Sequence, residues 1–384
     1  MGHVDRSVLA VRVAVRATLA DLVAAGLGPG DLVLVACSGG SDSLALAAAV
    51  AHESRRVGRS VRSRGFAVRA AAVVVDHGLQ PGSDDVAAAA AQQCRGLGLD
   101  PVVVRRVVVG HDGVTGLEDA ARRARYAAFD DVAASTGAVA VLLGHTLDDQ
   151  AEQVLLGLAR GSGARTLAGI PPARGIYRRP LLGLRRAQLR AACAAQGLDW
   201  WDDPTNDLPP SSDRDMPHGP VPLRTRVRHE VLPLLEDVLG PGTAESLARS
   251  ATQLRADADA LDDAAATLLA DAKRPTPPPA PDLSEPREPL ASPPSDNPAS
   301  DNPAEVRLDV GVLAAAPAAV RRRALRAAAL AVGAPPGATG AKHVDALDAL
   351  VVGWHGQGAV GLPSGASARR ACGTLVLHRG PGPS

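Results

Sequence analysis

Apolar runs recur along the first half of the chain, at 32–36, 70–75, 101–109 and 138–143. Little polar alternation breaks them, which is the pattern of strands buried on both faces. Between and around them, 5–25, 44–50, 83–97, 116–136 and 147–159 place apolar residues three or four positions apart. That spacing puts them on one face of a helix. Strand and helix in alternation predict an α/β fold with a doubly wound parallel sheet. Ligands of such sheets bind beyond the carboxyl ends of the strands. Three polar clusters fall at such ends: Ser38–Ser43, Asp76-His77-Gly78 and Gly144-His145.

The pattern changes after residue 230. Segments 231–239 and 243–272 read as helices and form a connector, and 273–304 is rich in Pro, Ser, Asp, Asn and Ala. Its composition predicts a disordered linker. Beyond it, strands at 306–310, 359–362, 366–371 and 374–377 and helices at 317–332 and 341–352 predict a small α+β domain over 305–384. The expected organisation is a first α/β domain over 1–230, a connector over 231–272, the linker, and the terminal domain.

Composition refines this picture modestly. The 384 residues are 46% hydrophobic and 21% charged with a net charge of +0, a globular balance with room for two or three domains. Aromatic residues are 2% of the chain, so the cores must be built from Val, Leu and Ala. Zero net charge leaves room for local basic patches and does not exclude a nucleic-acid partner. Cys37, Cys94, Cys193 and Cys372 are scattered without a C-x-x-C pair, unlike a structural zinc site or a thiol relay. Buried thiols of this kind fit a reducing compartment. With no signal-peptide pattern and no membrane-length apolar run, a cytoplasmic location and no membrane partner are expected.

The chemistry begins in Ser38-Gly39-Gly40-Ser41-Asp42-Ser43, between a strand and a helix. Glycines let the backbone approach a ligand closely, and the N–H groups of a helix start suit a phosphate. A kinase-type loop would end in lysine, and the first lysine of this chain is Lys273. The glycine spacing of a dinucleotide fold is also absent. Asp42 is out of place in a bare phosphate nest, and makes sense beside a metal ion or an N-cap amide. The hexamer resembles the pyrophosphate loop (PP-loop) of the N-type ATP pyrophosphatases, an adenine nucleotide alpha hydrolase-like fold. A second cluster, Gly144 to Gln153, opens a helix near Leu147. There Asp148 and Asp149 lie four and three residues before Glu152, so the carboxylates can share a face. Helix capping is the plain alternative role for them.

Further stretches, in order, resemble the tRNA(Ile)-lysidine synthetase family. They are Val75-Asp76-His77-Gly78-Leu79, Leu117 to Tyr126, Gly144 to Glu152, Arg160-Gly161-Ser162-Gly163, Arg179-Pro180-Leu181-Leu182, Trp201 to Asn206, and Arg224-Thr225-Arg226-Val227-Arg228-His229. The resemblance implies that ATP adenylates the C2 oxygen of the wobble cytidine of an isoleucine tRNA with a CAU anticodon. Free L-lysine then attacks C2 through its ε-amine, and AMP leaves. It also implies residue roles. Ser38, Gly39, Gly40, Ser41, Asp42 and Ser43, with Asp76, His77, Gly144 and His145, would bind ATP. Asp42 and Asp149 would hold Mg²⁺, with Glu152 an alternative to Asp149, and one of these acids would bind or deprotonate lysine. Arg122 and Arg125 would stabilise charge at the α-phosphate or hold RNA.

Arg224, Arg226, Arg228 and His229 alternate as on an extended segment, and phosphate contacts to tRNA are expected of them. Trp354-His355-Gly356-Gln357-Gly358 and Leu362-Pro363 resemble the family's tRNA-binding domain. The G-x-G-x-x-G match at Gly356 to Gly361 lies before a Leu-Pro turn, not between strand and helix, and is a decoy. The chain departs from the family pattern in an inserted Pro- and Ser-rich loop over 208–222, and in Thr225 and Pro222, where asparagine and an aromatic are frequent. Other readings are a tRNA thiolase, an ATP-dependent amidotransferase or NAD synthetase, and an RNA-binding protein without activity. Homodimer formation stays open.

Overall fold

A computed structural model describes residues 4–58, 64–78, 82–108, 117–161, 163–204, 208, 221–273 and 305–380. Leu79, Ser162, Thr205, Asn206, most of the inserted loop and the Pro-rich stretch 274–304 lie outside the described residues. The chain divides into two compact units, Met1–Arg255 and Ala256–Ser384.

The first unit opens with α1 (Arg6–Ala24), whose start is capped by the Asp5 carboxylate accepting from Ser7 N. It continues through β1 (Leu32–Ala36), α2 (Ser41–Glu53), β2 (Arg69–Asp76), α3 (Ser83–Gly96), β3 (Val102–Arg106), α4 (Leu117–Thr136), β4 (Ala138–Leu142) and α5 (Leu147–Ala159). Then follow α6 (Ala164–Leu167), β5 (Ala173–Arg174), β6 (Tyr177–Arg178) and α7 (Arg186–Ala194). The strands form a six-stranded sheet in the order β3-β2-β1-β4-β6-β5. All neighbours pair in parallel except β5 with β6.

Both faces of that sheet are covered, as the unbroken apolar runs require. Val33, Val35, Ala72, Val74, Ala140 and Leu142 point into a core shared with α1, α2, α3 and α7. The alternate residues Leu32, Leu34, Ala71, Val73 and Val141 pack on Phe129, Val132 and Ala133 of α4. This is the expected doubly wound architecture. It presents the carboxyl ends of β1, β2 and β4 along one edge.

The segment after the insertion differs from expectation. Residues 224–229 are helical, not extended: α8 (Leu223–Arg226) runs through a π-helical turn (Val227–Val231) into α9 (Leu232–Leu239). The alternating Arg-Thr-Arg-Val-Arg pattern reads as a strand, but Arg224 and Arg228, four residues apart, share one face and both reach Glu152 of α5. Thr225, Val227 and Leu232 are buried, the latter two against Leu147, Ala151 and Leu156 of α5. Then comes α10 (Thr243–Lys273), within which the boundary between the two units falls.

The second unit contains β7 (Glu305–Asp309), α11 (Val310–Ala315), α12 (Ala318–Ala331), α13 (Ala341–Val352), β8 (Val360–Gly361), β9 (Ser367–Ala371) and β10 (Thr374–His378). The strands form an antiparallel sheet ordered β7-β10-β9-β8, packed on α12 and α13 through Leu308, Leu325, Leu347, Leu350 and Leu375. A small α+β unit was expected here; the short α11 was not.

Candidate active site

The loop after β1 is built from within. Gly39 has φ +84, the left-handed region that favours glycine. The Ser43 hydroxyl accepts from Ser38 N at 3.1 Å and donates to the Gly40 carbonyl at 2.9 Å, folding the loop over the start of α2. No side chain caps α2 at Gly40. The first-turn N–H groups therefore have no partner within the helix and are open to an anion. From outside, Trp201 N donates to the Gly39 carbonyl at 3.0 Å, and Cys193 Sγ of α7 donates to the Ser41 carbonyl at 3.2 Å. Gly144 lies where β4 ends against this turn. A Cβ there would meet the Asp42 carbonyl oxygen at 3.1 Å, so a side chain would press the α2 backbone by a few tenths of an ångström.

Asp149 takes part in two structures at once. Its Oδ2 accepts from Thr146 N at 2.8 Å while Asp149 N donates to Thr146 Oγ1 at 3.2 Å, a reciprocal cap on α5. The other oxygen, Oδ1, accepts from Arg186 Nη2 at 3.0 Å. One carboxylate thus both caps α5 and joins the charged cluster. Asp148 turns aside to α7, accepting from Arg186 N at 2.7 Å and pairing with Arg185 Nε at 3.1 Å.

Glu152 is fully buried and accepts from Arg224 Nε at 2.9 Å and Arg228 Nε at 2.7 Å. These two arginines, four residues apart on the helical segment, therefore enter the acid cluster. Arg226 and His229 do not share that contact: Arg226 pairs with Glu230 at 3.0 Å. Arg186 is the member of this cluster that the sequence did not single out. Its Nε donates to Asp42 Oδ2 at 3.1 Å, and its Nη1 lies 3.8 Å from Glu152 Oε1. Its signal was a double arginine at the start of a helix just after Arg179-Pro180-Leu181-Leu182, which is visible as charge but carries no spacing rule.

The electrostatics follow from burial and these pairs. Burial pushes Asp42 up to about 6; Arg186 opposes this and Asp149 adds to it. Burial works against the Asp149 anion as well, yet Arg186, the Thr146 N–H and Arg224 together hold it below the usual carboxylate range. His145 is driven down to about 4 by burial; Asp149 opposes, while Arg179, Arg122 and Arg224 push further. It is a neutral imidazole, and its Nδ1 is buried without a hydrogen-bond partner.

At the end of β2, Asp76 accepts from Ser83 Oγ at 2.7 Å and Gly78 N at 2.9 Å. Those bonds hold it low and give it a turn-building role. His77 beside it is lowered by burial and by Arg125. Arg122 lies over the Tyr126 ring at 5.2 Å, and its charge reaches His145. Arg122 and Arg125, two of the three arginines of α4, thus act on histidines at the strand ends.

Asp42 and Asp149 present oxygen donors toward one guanidinium, and such hard donors fit a divalent cation such as Mg²⁺. Among the described residues, no group of three or more His, Cys, Asp or Glu is arranged to hold a metal ion. The two carboxylates would therefore be a partial set, completed by phosphate oxygens and water.

The PP-loop domain family matches residues 13–235, and the TilS substrate binding domain family matches residues 308–376. The tRNA(Ile)-lysidine synthase of Streptomyces coelicolor is 48% identical over 360 residues, covering 93% of this chain and 88% of that protein. This chain belongs to the tRNA(Ile)-lysidine synthase family. The synthase of Leifsonia xyli subsp. xyli is also 48% identical, over 92% of this chain and 91% of its own. Among solved structures, a U34-tRNA thiolase from Methanococcus maripaludis is 19% identical with a TM-score of 0.49, covering 65% of this chain and 79% of that one. Within the lysidine synthase family's two matched domains, the loop and acid cluster lie in the PP-loop domain. The antiparallel sheet of the second unit lies in the substrate binding domain. No helix among the described residues is long and apolar enough to cross a membrane.

Proposed function

We infer that this protein ligates free L-lysine to C2 of the wobble cytidine of a CAU-bearing isoleucine tRNA, with ATP converted to AMP and pyrophosphate. The observation that carries this reading is the convergence of Asp42, Asp149 and Glu152 beside the phosphate loop, in a chain alike over 93% of its length to a tRNA(Ile)-lysidine synthase.

The loop N–H groups and the Ser38 and Ser41 hydroxyls receive the β- and γ-phosphates, and the α2 start adds a favourable dipole. Arg122 and Arg125 stabilise the charge that grows at the α-phosphate as the cytidine oxygen attacks it. Asp42 and Asp149 are the residues that would hold Mg²⁺, which when bound neutralises the departing pyrophosphate. The acid cluster then attracts the ε-ammonium of lysine and takes the proton its nitrogen must lose before it attacks C2. The N–C2 bond forms, the C2–O bond to the adenylate breaks, and AMP leaves. His145, neutral and shut off from solvent at Nδ1, adds no positive charge to repel the incoming ammonium. Arg226, His229 and the second unit would hold the tRNA backbone.

The test is incorporation of labelled lysine into CAU-bearing isoleucine tRNA, with AMP and pyrophosphate measured in equal amount. Incorporation by the intact protein that is lost in Asp42→Ala supports the reading. No incorporation by the intact protein, or survival of it in the variant, overturns it.

A further inference from the structure

The acid cluster is already neutralised from within. Asp42, Asp149 and Glu152 bring three negative charges, and Arg186, Arg224 and Arg228 bring three positive ones. The three arginines are not equivalent. Arg224 and Arg228 both bind Glu152, the one fully buried acid, and Arg228 reaches Asp149 only at 3.6 Å. Arg186 turns a different nitrogen to each acid: Nε to Asp42 at 3.1 Å, Nη2 to Asp149 at 3.0 Å and Nη1 to Glu152 at 3.8 Å. It therefore sits in the place where all three carboxylates face a common cation.

Two of the three acids around it are held independently of it. Asp149 is fixed through its other oxygen by the Thr146 cap, and Glu152 by its two arginines. The Arg186 backbone is fixed as well, by Asp148 at 2.7 Å, so only its side chain has freedom to leave. A neutral cluster has little attraction for a further cation. Triphosphate bound at the adjoining loop would change that balance, because phosphate oxygens suit a guanidinium as well as carboxylates do.

We propose that Arg186 is the resting occupant of the lysine ammonium's place, and that lysine enters by exchange with this guanidinium once ATP is bound. The proposal rests on the ligation reading above. Arg186 is then a positioning residue that makes binding ordered, nucleotide first and amino acid second. It keeps the acids from holding lysine before there is a phosphate for the activated base.

Calorimetry with the full chain tests this, titrating L-lysine with and without a non-hydrolysable ATP analogue and Mg²⁺, alongside steady-state lysine incorporation. The parent protein should bind lysine at least tenfold more tightly with the analogue present. Arg186→Met should bind lysine about tenfold more tightly than the parent without nucleotide. Its KM for lysine should fall or stay level while kcat drops, and Arg186→Lys should restore both the nucleotide dependence and part of kcat. Equal lysine affinity in the parent with and without analogue overturns the proposal, even where Arg186→Met does not fold. So does a folded Arg186→Met that binds nucleotide-free lysine no more tightly than the parent, or that raises KM with kcat unchanged. Absence of lysine incorporation by the parent protein is a different failure, that of the ligation reading itself.

Discussion

The phosphate loop and the acid–arginine cluster share Asp42 and are otherwise built in opposite ways. The loop is six consecutive residues whose shape comes from a glycine at φ +84 and the hydrogen bonds of one serine hydroxyl. The cluster draws on α2, α5, α7 and the helical segment after the insertion; the Arg186–Asp42 bond alone spans 144 residues. A local device of the first kind depends mainly on its own backbone, with Trp201 N and Cys193 Sγ adding one bond each from outside. A device of the second kind exists only while several helices pack correctly, so damage to it should appear in stability as well as in rate.

Asp42 belongs to both, and its loss should have the largest effect. Asp42→Ala should lower kcat/KM for lysine incorporation by about 10³-fold, roughly 4 kcal/mol of transition-state stabilisation. Retention of a tenth of parental activity would remove Asp42 from the machinery. Glu152→Gln tests the cluster alone, because it leaves two arginines around a buried neutral group. Unfolding in urea should show a loss of about 3 kcal/mol, and a change below about 0.5 kcal/mol would mean that Glu152 anchors nothing.

The pH dependence of stability separates the two devices further. Burial holds Asp42 at about 6, above its ordinary 3.8. For an acid whose folded value is raised, the stabilising contribution is complete below about 4 and is lost as pH rises through about 6. Asp42→Asn should therefore be the more stable protein at pH 8, by roughly 3 kcal/mol, with the gap closing toward pH 4. A gap that widens as pH falls would reverse the sign and refute the account of Asp42.

The loop alone is probed by Ser43→Ala. It removes the hydroxyl that joins Ser38 N to the Gly40 carbonyl and should cost about 1 kcal/mol of stability, read by thermal melts with Glu152→Gln as the reference. Equal losses in the two variants would erase the distinction between local and assembled parts. The smallest effect is expected from deleting 274–303, which by composition contributes to neither part. Lysine incorporation should stay within about twofold, since a polar composition this poor in large apolar residues offers little surface to bury, and loss of folding would overturn that reading.

Much of the site was legible because its carriers are local. The loop hexamer announces itself between an apolar run and a helical pattern, and the i, i+3 relation of Asp149 and Glu152 follows from helix geometry. Arg122, Arg125, His77 and His145 stand at strand ends or on a helix whose position the alternation predicts. Arg186 was not legible: a helix-start arginine on its own has the pattern of a solvated charge. Arg224 and Arg228 were legible as charges but misplaced, because two-residue alternation suggested a strand. The spacing that mattered was their separation of four, which sets both on Glu152.

The sequence by itself determined the central strands and the helices between them, the parallel sheet and the phosphate loop, and its motifs by their resemblance pointed to the family. The elements rest on short-range sterics and on the period of apolar residues, which are properties of neighbours along the chain. Tertiary structure alone decided which charges meet, that Glu152 is sealed from water, and that Arg186 reaches all three acids. Charge pairing depends on which side chains share a poorly solvated space. That space exists only after helices far apart in the chain have packed together.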